Sequence, residues 1–354
     1  MIKKSSIYII GIGAFLLSGC NNDMVQPEKE GEHILIVFKA SGATVTIEEQ
    51  TQTRNAGIVF PNNGSIAIVA AKAPVQTIDW SSPYMDHAIA TAGEEDGNGK
   101  YSIVTTKSHY WPFDPNEYLS FMAYSPHTSQ SSLLSIAATD NTKLEITSNP
   151  DITTSTPYPD LLYAAPTEAY NKTHGNVELS FSHVMAQVEI KVVAIDDDGE
   201  EITPNPAVTA SLTLDTKVKN GTFDLLEDKW ILETPSNDFS DFCTLAKDKS
   251  IPYTVSCLLL PSAADMGNTS INMADNTRIN ITLKDAAESD IVPFHATISQ
   301  FTTNSVTASL VEGMKSVLTI KVSLKDITTG NKAFDLEGDL KPWNYQGESE
   351  VIIE

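Results

Sequence analysis

The stretch LTIKVSL, at residues 318–324, decides the fold class of this 354-residue chain. Its apolar and polar side chains alternate without a break: Leu318, Ile320, Val322 and Leu324 against Thr319, Lys321 and Ser323. A period of two residues turns one face of a β-strand toward a core and the other toward water. The stretch therefore predicts a strand with one buried face.

The same alternation recurs along the body of the chain, and turn signals separate the runs. Further runs begin at Ile34, Val45, Ile66, Leu119, Val208, Ile279 and Phe294. Turn-forming pairs such as Asp198-Gly199 and Asn220-Gly221 lie between such runs. No window keeps a 3.6-residue period for four turns. Short strands at this spacing predict an all-β protein built from β-sandwiches.

Composition excludes several classes of protein. The chain has 23 Lys and Arg against 46 Asp and Glu, which gives a net charge of −23. Such an acidic surface argues against nucleic acid as a partner, because little in it would neutralise phosphates. Arg54 and Arg278 are the two arginines of the sequence, so guanidinium clamps are scarce. Three cysteines are too few for a disulfide scaffold or a four-thiolate zinc site.

The amino-terminal segment predicts secretion. Lys3 and Lys4 precede an apolar stretch, Ile7–Leu17. That stretch is too short for a transmembrane helix, which needs about 20 apolar residues, and it fits a signal peptide at 1–19.

The signal ends in a lipobox-like sequence, Leu17-Ser18-Gly19-Cys20. We therefore expect cleavage before Cys20 and lipidation of its thiol, followed by a polar, lipidated tether at 20–32. Several acyl chains, at about 0.8 kcal/mol per buried methylene, make a durable anchor. The alternative is an ordinary signal peptide followed by a chance cysteine.

The chain changes its alternation phase near residue 183. Inward positions are odd before this point and even after it: Val177, Leu179 and Phe181, then Val188, Ile190 and Val192. Since an extra residue turns all later side chains to the other face, we expect a β-bulge or a crossover at 183–186. The preceding residues, 125–176, are rich in Ser, Thr, Asn and Pro. This composition predicts an N-terminal β-sandwich domain at 33–172 and a C-terminal one at 173–354.

Motif searches predict that the chain is not an enzyme. The seven histidines show no metal-binding spacing, and the sequence contains no Gly-x-Ser-x-Gly elbow or phosphate-binding glycine loop. The acidic run Asp196–Glu200 resembles a calcium loop, but Ala194 occupies the position of its first ligand. A solvated hairpin turn fits it better. We expect no catalytic residue, no cofactor and no metal.

Two cysteines remain beside Cys20. A periplasmic protein could join Cys243 to Cys257 in a disulfide. Cys257 lies in the apolar run Val255–Leu260, so a buried free thiol is the alternative.

Four segments, read in order, resemble the fimbrillin family, the lipoprotein precursors of type V pilus subunits in Gram-negative anaerobes. They are the lipobox; Thr53-Arg54-Asn55-Ala56 with FPNNGSIAIV at 60–69; LSFSHVMAQV at 179–188; and VEGM at 311–314 with LKPW at 340–343. Their order along nearly the whole chain gives the resemblance its specificity.

The resemblance implies both an architecture and a mechanism of assembly. Fimbrillins resemble two tandem transthyretin-like, Greek-key β-sandwiches and reach the outer membrane as lipoproteins. A trypsin-like protease cuts after an arginine behind the first strand, and Arg54 matches that position. A strand from a neighbouring subunit then fills the groove that the lost strand leaves. Val351–Ile353 could belong to such a donor strand or close the second domain.

The implied partners are other pilin subunits through strand exchange, the outer membrane through acyl chains on Cys20, and, for an adhesin, a ligand on a host or bacterial surface. The alternative is a lipid-anchored glycan-binding protein of a nutrient-uptake system. Such a protein needs a platform of exposed tryptophans. We expect instead that the four are scattered and mostly buried: Trp80, Trp111, Trp230 and Trp343.

Overall fold

The structure is a computed structural model, and its secondary structure is almost entirely β. It describes residues 33–42, 44–45, 54–55, 64–73, 78–96, 98–204, 208–266, 269–284, 290–303, 306–323 and 334–342. The first strands are β1 (Val37–Gly42), β2 (Thr44–Val45), β3 (Arg54–Asn55), β4 (Ser65–Lys72), β5 (Met85–Glu95), β6 (Lys100–Thr105), β7 (Leu119–Ser125), β8 (Leu134–Ala137), β9 (Asp140–Thr147), β10 (Leu162–Ala164), β11 (Asn176–His183), β12 (Ala186–Ile195) and β13 (Glu201–Ile202).

The remaining strands are β14 (Thr209–Thr216), β15 (Asn220–Asp224), β16 (Lys229–Leu232), β17 (Ser240–Ser250), β18 (Tyr253–Leu259), β19 (Ala263–Asp265), β20 (Ser270–Ile271), β21 (Thr277–Lys284), β22 (Asp290–Thr297), β23 (Thr302–Thr303), β24 (Val306–Thr307), β25 (Met314–Ser323) and β26 (Phe334–Pro342). One helical turn, α1 (Met273–Asn276), and two 3-10 turns, Thr128–Gln130 and Ile298–Gln300, complete the described elements. The predicted all-β class is confirmed.

Seven strands form a sheet that closes on itself, in the order β1-β11-β10-β7-β4-β5-β6. We call it the leading barrel. The other large sheets are β13-β12-β25-β26 with β18 also on β12, β17-β14-β21-β22, and β20-β19-β16-β15-β9-β8. Residues 318–323 of the stretch that opened the sequence analysis lie in β25, where Leu318, Ile320 and Val322 are buried and the side chains between them are half-buried. Leu324 lies outside the described residues.

Two hydrophobic clusters make up the core. One fills the leading barrel. The other runs from the outer face of β4 and β7, through residues such as Val69 and Tyr124, into the sheets of the second half. Buried on both faces, β4 and β7 read as nearly continuous apolar runs rather than as alternating ones.

Strand pairing does not follow the predicted boundary between residues 172 and 173. Beyond that boundary, β11 still belongs to the leading barrel. Ahead of it, β9 pairs with β15 of the second half. Strands from either side of the predicted boundary thus share sheets, because a continuous core lets hairpins from one half complete sheets of the other. A division into two tandem domains stays a prediction.

The phase change near residue 183 is a crossover between sheets. The strand before it, β11, lies in the leading barrel, and β12 pairs with β18 and β25 in another sheet. Val184 and Met185 connect them and are fully buried.

Candidate functional site

The leading strand β1 is held on both edges. Val37–Gly42 pair in parallel with Asn176–Phe181 of β11, and Phe38–Ser41 pair antiparallel with Lys100–Ile103 of β6. A strand in this position closes the leading barrel, because it is the link between β6 and β11.

Pairing extends to the residues ahead of β1. The Trp111 amide donates to the Ile34 carbonyl oxygen at 2.9 Å, Leu35 bridges to Tyr110, and the Ile36 amide donates to the His109 carbonyl oxygen at 2.9 Å. Residues 34–42 therefore form one paired segment, which we call the leading segment. The stretch ahead of Arg54 contains a built-in strand, as the strand-exchange hypothesis requires.

Every second side chain from Ile36 to Ala40 points into the barrel. Ile36, Phe38 and Ala40 are at most 3% exposed, whereas Val37 is 43% exposed. The Phe38 ring meets Phe121 edge-on at 5.4 Å between centroids, and Phe121 meets Trp111 in the same way at 5.7 Å. This contact chain anchors β1 through aromatic burial, which contributes beyond the buried area alone.

An ion pair crosses the outer face of β1. Lys100 on β6 and Glu178 on β11 lie 3.0 Å apart, although β1 runs between their strands. Both side chains are about half exposed, so the pair is worth at most about 1 kcal/mol. It adds little to the hold that backbone pairing and the inward side chains exert on β1.

Arg54 follows the leading segment in the chain and pairs with β2. In β3, Arg54 is the register partner of Val45, and Asn55 is that of Thr44, both in β2. Twelve positions in sequence separate Arg54 from Gly42, the last residue of the strand that closes the leading barrel.

Arg278 lies in a very different place. It is in β21, between β14 and β22, and its guanidinium donates to the Asp215 carboxylate through Nε at 3.2 Å and through Nη2. The guanidinium carbon also lies 4.7 Å from the centroid of the Phe239 ring.

Comparison with known proteins assigns the chain to a family. The fimbrillin-like family model matches residues 44–343. The chain belongs to the fimbrillin-like family. This membership supports a pilus-type or surface-binding role at the cell surface, in a family of structural and adhesion proteins. None of the curated proteins matches the chain.

Solved structures share the fimbrillin fold at low sequence identity. A candidate cell adhesion protein from Bacteroides uniformis gives a TM-score of 0.54 at 16% identity, over 87% of this chain and 99% of that one. One from Bacteroides ovatus gives 0.53 at 15%, over 89% and 99%. A fimbrial protein from Bacteroides vulgatus gives 0.50 at 16%, over 87% and 99%.

Two of the fimbrillin motif segments meet at the crossover between β11 and β12. The amide of Gly313, from VEGM, donates to the Met185 carbonyl oxygen at 3.0 Å. The neighbouring Val184 carbonyl oxygen accepts from Trp230 Nε1 at 2.7 Å. Gly313 has a φ of +64° and no room for a Cβ, which would lie 3.0 Å from the His183 carbonyl oxygen. The motif therefore holds the crossover, and His183 is a packed residue that binds Asp160 at 2.9 Å.

Both remaining cysteines are free, buried thiols. Cys243 lies in β17 and Cys257 in β18, within one core cluster. Burial raises the pKa of Cys243 to about 12, and burial together with the nearby Cys243 raises that of Cys257. Two separate buried thiols correspond to the free-thiol alternative of the sequence analysis. The disulfide between them stays a prediction, and their raised pKa values make neither a reactive nucleophile.

Other site predictions fall outside the described residues or have a plain structural role. The signal peptide, Cys20, the tether, Trp343 and Val351–Ile353 lie outside them. Three tryptophans are buried, at 8% exposure or less, so they form no exposed platform: Trp80, Trp111 and Trp230. The Asp196 carboxylate accepts from the amides of Asp198 and Glu200 in the turn between β12 and β13, as a solvated hairpin turn does.

Sequence reasoning missed a histidine cluster beside a surface cavity of about 490 Å³. His87 Nε2 donates to the Asn141 carbonyl oxygen at 2.9 Å, and Nδ1 accepts from the Tyr124 hydroxyl at 3.0 Å, which describes a neutral ring. His127 Nε2 lies 3.0 Å from the His87 carbonyl oxygen. His87 has a φ of +42°, a backbone conformation that is uncommon for residues other than glycine. Its isolated place in the sequence gave no signal of this.

No group of three or more His, Cys, Asp or Glu side chains in the described residues is placed to bind a metal ion. Their helices are also too short and too polar for any of them to cross a bilayer.

Proposed function

We propose that this fimbrillin-like chain is the lipoprotein precursor of a type V pilus subunit or adhesin. In this proposal, cleavage after Arg54 frees the leading segment, and a strand from a neighbouring subunit takes its place. The observation that carries the proposal is the position of β1: it closes the leading barrel between β6 and β11, and Arg54 follows it in the sequence.

Removing β1 would leave two strand edges without partners. The register of β1 spans six residues on β11 and four on β6, and the side chains of Ile36, Phe38 and Ala40 would leave a trough behind them. An added strand satisfies such edges with backbone hydrogen bonds and fills the trough with alternate side chains. Once β1 has left, binding of another strand between β6 and β11 should therefore be energetically favourable.

The proposal includes a route to the outer membrane and the cell surface. The signal peptide at 1–19 directs export, and acyl chains on Cys20 anchor the precursor until cleavage after Arg54 separates the body from the anchor. Cys20→Ser should therefore abolish the incorporation of labelled palmitate into the precursor. Incorporation that survives this substitution would contradict lipid anchoring at Cys20.

Limited digestion of the mature chain with an arginine-specific protease tests strand exchange. We expect one dominant cut after Arg54, followed by slow formation of a ladder of oligomers that resists mild detergent. Arg54→Gln is the matched control, and it should remain monomeric under the same treatment. A chain that is cut after Arg54 and stays monomeric would overturn the proposal.

The alternative function, glycan binding by a lipid-anchored surface protein, gains no support from the described residues. The three tryptophans that they include are buried. Pilus assembly or adhesion is therefore the function that the geometry supports best.

A further inference from the structure

The slot that β1 occupies contains two adjacent sites of unequal size. At the first, Phe38 is the register partner of Ile103 on β6 and of Val177 on β11. At the second, Ala40 is the partner of Tyr101 on β6 and of Leu179 on β11. The large side chain thus lies between β-branched neighbours, and the small one lies between large neighbours.

Packing explains why the two sites differ. Side chains directly opposite each other on neighbouring strands have Cβ atoms about 5 Å apart, so each position of β1 must fit between its two partners. Tyr101 and Leu179 are buried on either side of Ala40, whose buried side chain is a single methyl group. At the first site, the Phe38 ring also contacts Phe121, so an aromatic side chain is favoured there.

We propose that the slot selects its donor strand by a two-site pattern: an aromatic residue followed, two positions later, by a small residue. The partner is an extended segment of about nine residues, the length of the paired leading segment, running parallel to β11. This inference rests on the proposed strand exchange and adds the identity of the side chains that the slot accepts.

The pattern also fixes the register of the donor. A slip by one residue would turn the aromatic side chain out of the barrel. A slip by two residues would press it against Tyr101 and Leu179, in a site that holds a methyl group. Reversing the direction of the strand would exchange the order of the two sites. The slot therefore discriminates between donors of equal hydrophobicity.

A pair of peptides of identical composition tests the inference in trans. One has the sequence of residues 34–42, ILIVFKASG, and the other exchanges the two key residues to give ILIVAKFSG; both carry the same label and oligolysine tail. Each is added to the full mature chain during digestion by the arginine-specific protease. We expect the native-order peptide to be incorporated at least tenfold more than the exchanged one.

Equal incorporation of the two peptides would overturn the two-site pattern and leave strand exchange standing. Incorporation of neither, with the cleaved chain remaining monomeric, would overturn the proposed function and this inference together.

A second measurement does not depend on strand exchange. The double variant Phe38→Ala/Ala40→Phe keeps the composition of the uncleaved chain, and we expect its midpoint of urea unfolding to be no higher than that of Phe38→Ala alone. If the second substitution restored the wild-type midpoint, the two sites would be interchangeable and the pattern would be wrong.

Discussion

The two arginines of this chain occupy opposite extremes of its β-structure. Among the described residues, Arg54 lies in a two-residue strand that pairs with another two-residue strand. Arg278 lies in the eight-residue β21, with β14 on one side and β22 on the other. The residue type and its bond chemistry are the same, and the difference lies in how much structure must open before a protease can act.

Side-chain contacts add to the difference in protection between the two arginines. Arg278 binds Asp215, which is buried, and it faces the Phe239 ring, which Lys217 also approaches at 4.8 Å. A protease needs several residues of extended backbone free of their own sheet, and the cost of freeing them rises with local pairing. An arginine-specific protease should therefore treat this chain as having one site, although the sequence has two.

The largest expected effect is on cleavage rates. If opening β21 costs about 3 kcal/mol more than opening the β2–β3 hairpin, cleavage after Arg54 should be about 100-fold faster than cleavage after Arg278. Arg54→Gln should then leave the native chain intact over the same digestion time. Mass spectrometry of timed digests measures both rates.

Digestion of chain unfolded in urea is the control, because the two sites should then be cut at similar rates. Similar rates in the native chain would remove the distinction between the two arginines.

The sequence alone predicted those parts of this contrast that depend on residues close together in the chain. Local alternation predicted the strands around Leu318 and Ile279, and the phase change predicted a bulge or a crossover at 183–186, of which the structure shows the crossover. These signals are carried by residues close in sequence. The strand-like run around Arg278 is a strand in the structure, whereas cleavage after Arg54 stays a prediction.

The sequence did not predict which strands pair, because alternation shows which face of a strand is buried and not which strand lies beside it. The parallel pairing of β1 with β11 joins residues about 140 positions apart. The pairing of β9 with β15, across the predicted boundary, was not predicted for the same reason. The clamp between Asp215 and Arg278 and the histidine cluster at His87 likewise depend on partners that the pairing of strands brings together.

The second expected effect concerns the clamp on Arg278. Asp215→Asn removes the charge partner of a half-buried guanidinium, so the free energy of unfolding should fall by about 2 kcal/mol. Cleavage after Arg278 should become faster, while cleavage after Arg54 keeps its rate. Urea denaturation and timed digestion measure the two effects.

Glu201→Gln provides a matched control, since it breaks an ion pair to Lys191 in which both side chains are largely exposed. Such a pair is worth about 0.5 kcal/mol, and its loss should leave both cleavage rates unchanged. If Asp215→Asn behaved like this control, strand pairing alone would protect Arg278.

The smallest expected effect tests whether acid can destabilise the leading barrel separately from the rest of the fold. Burial lowers the pKa of His87 below its usual value of 6.5, against a smaller opposing effect of Asp86. The unfolded chain therefore binds this proton more readily than the folded chain, and stability falls as the pH drops below about 6.5. His87→Gln should flatten part of that fall.

The measurement is the difference between wild type and His87→Gln in the free energy of unfolding from pH 7.5 to 5, with the exposed His295→Gln as the control. The difference is needed because burial raises the pKa of Glu312 to about 8, which makes stability fall in the opposite direction, as the pH rises from about 4.5 through 8. If the His87 effect acts on the leading barrel, acid should speed the release of the leading segment from chain already cut after Arg54, and less so in His87→Gln. An equal acceleration of cleavage after Arg278 would mean that acid loosens the whole fold, and the barrel would then not be a separately weakened part.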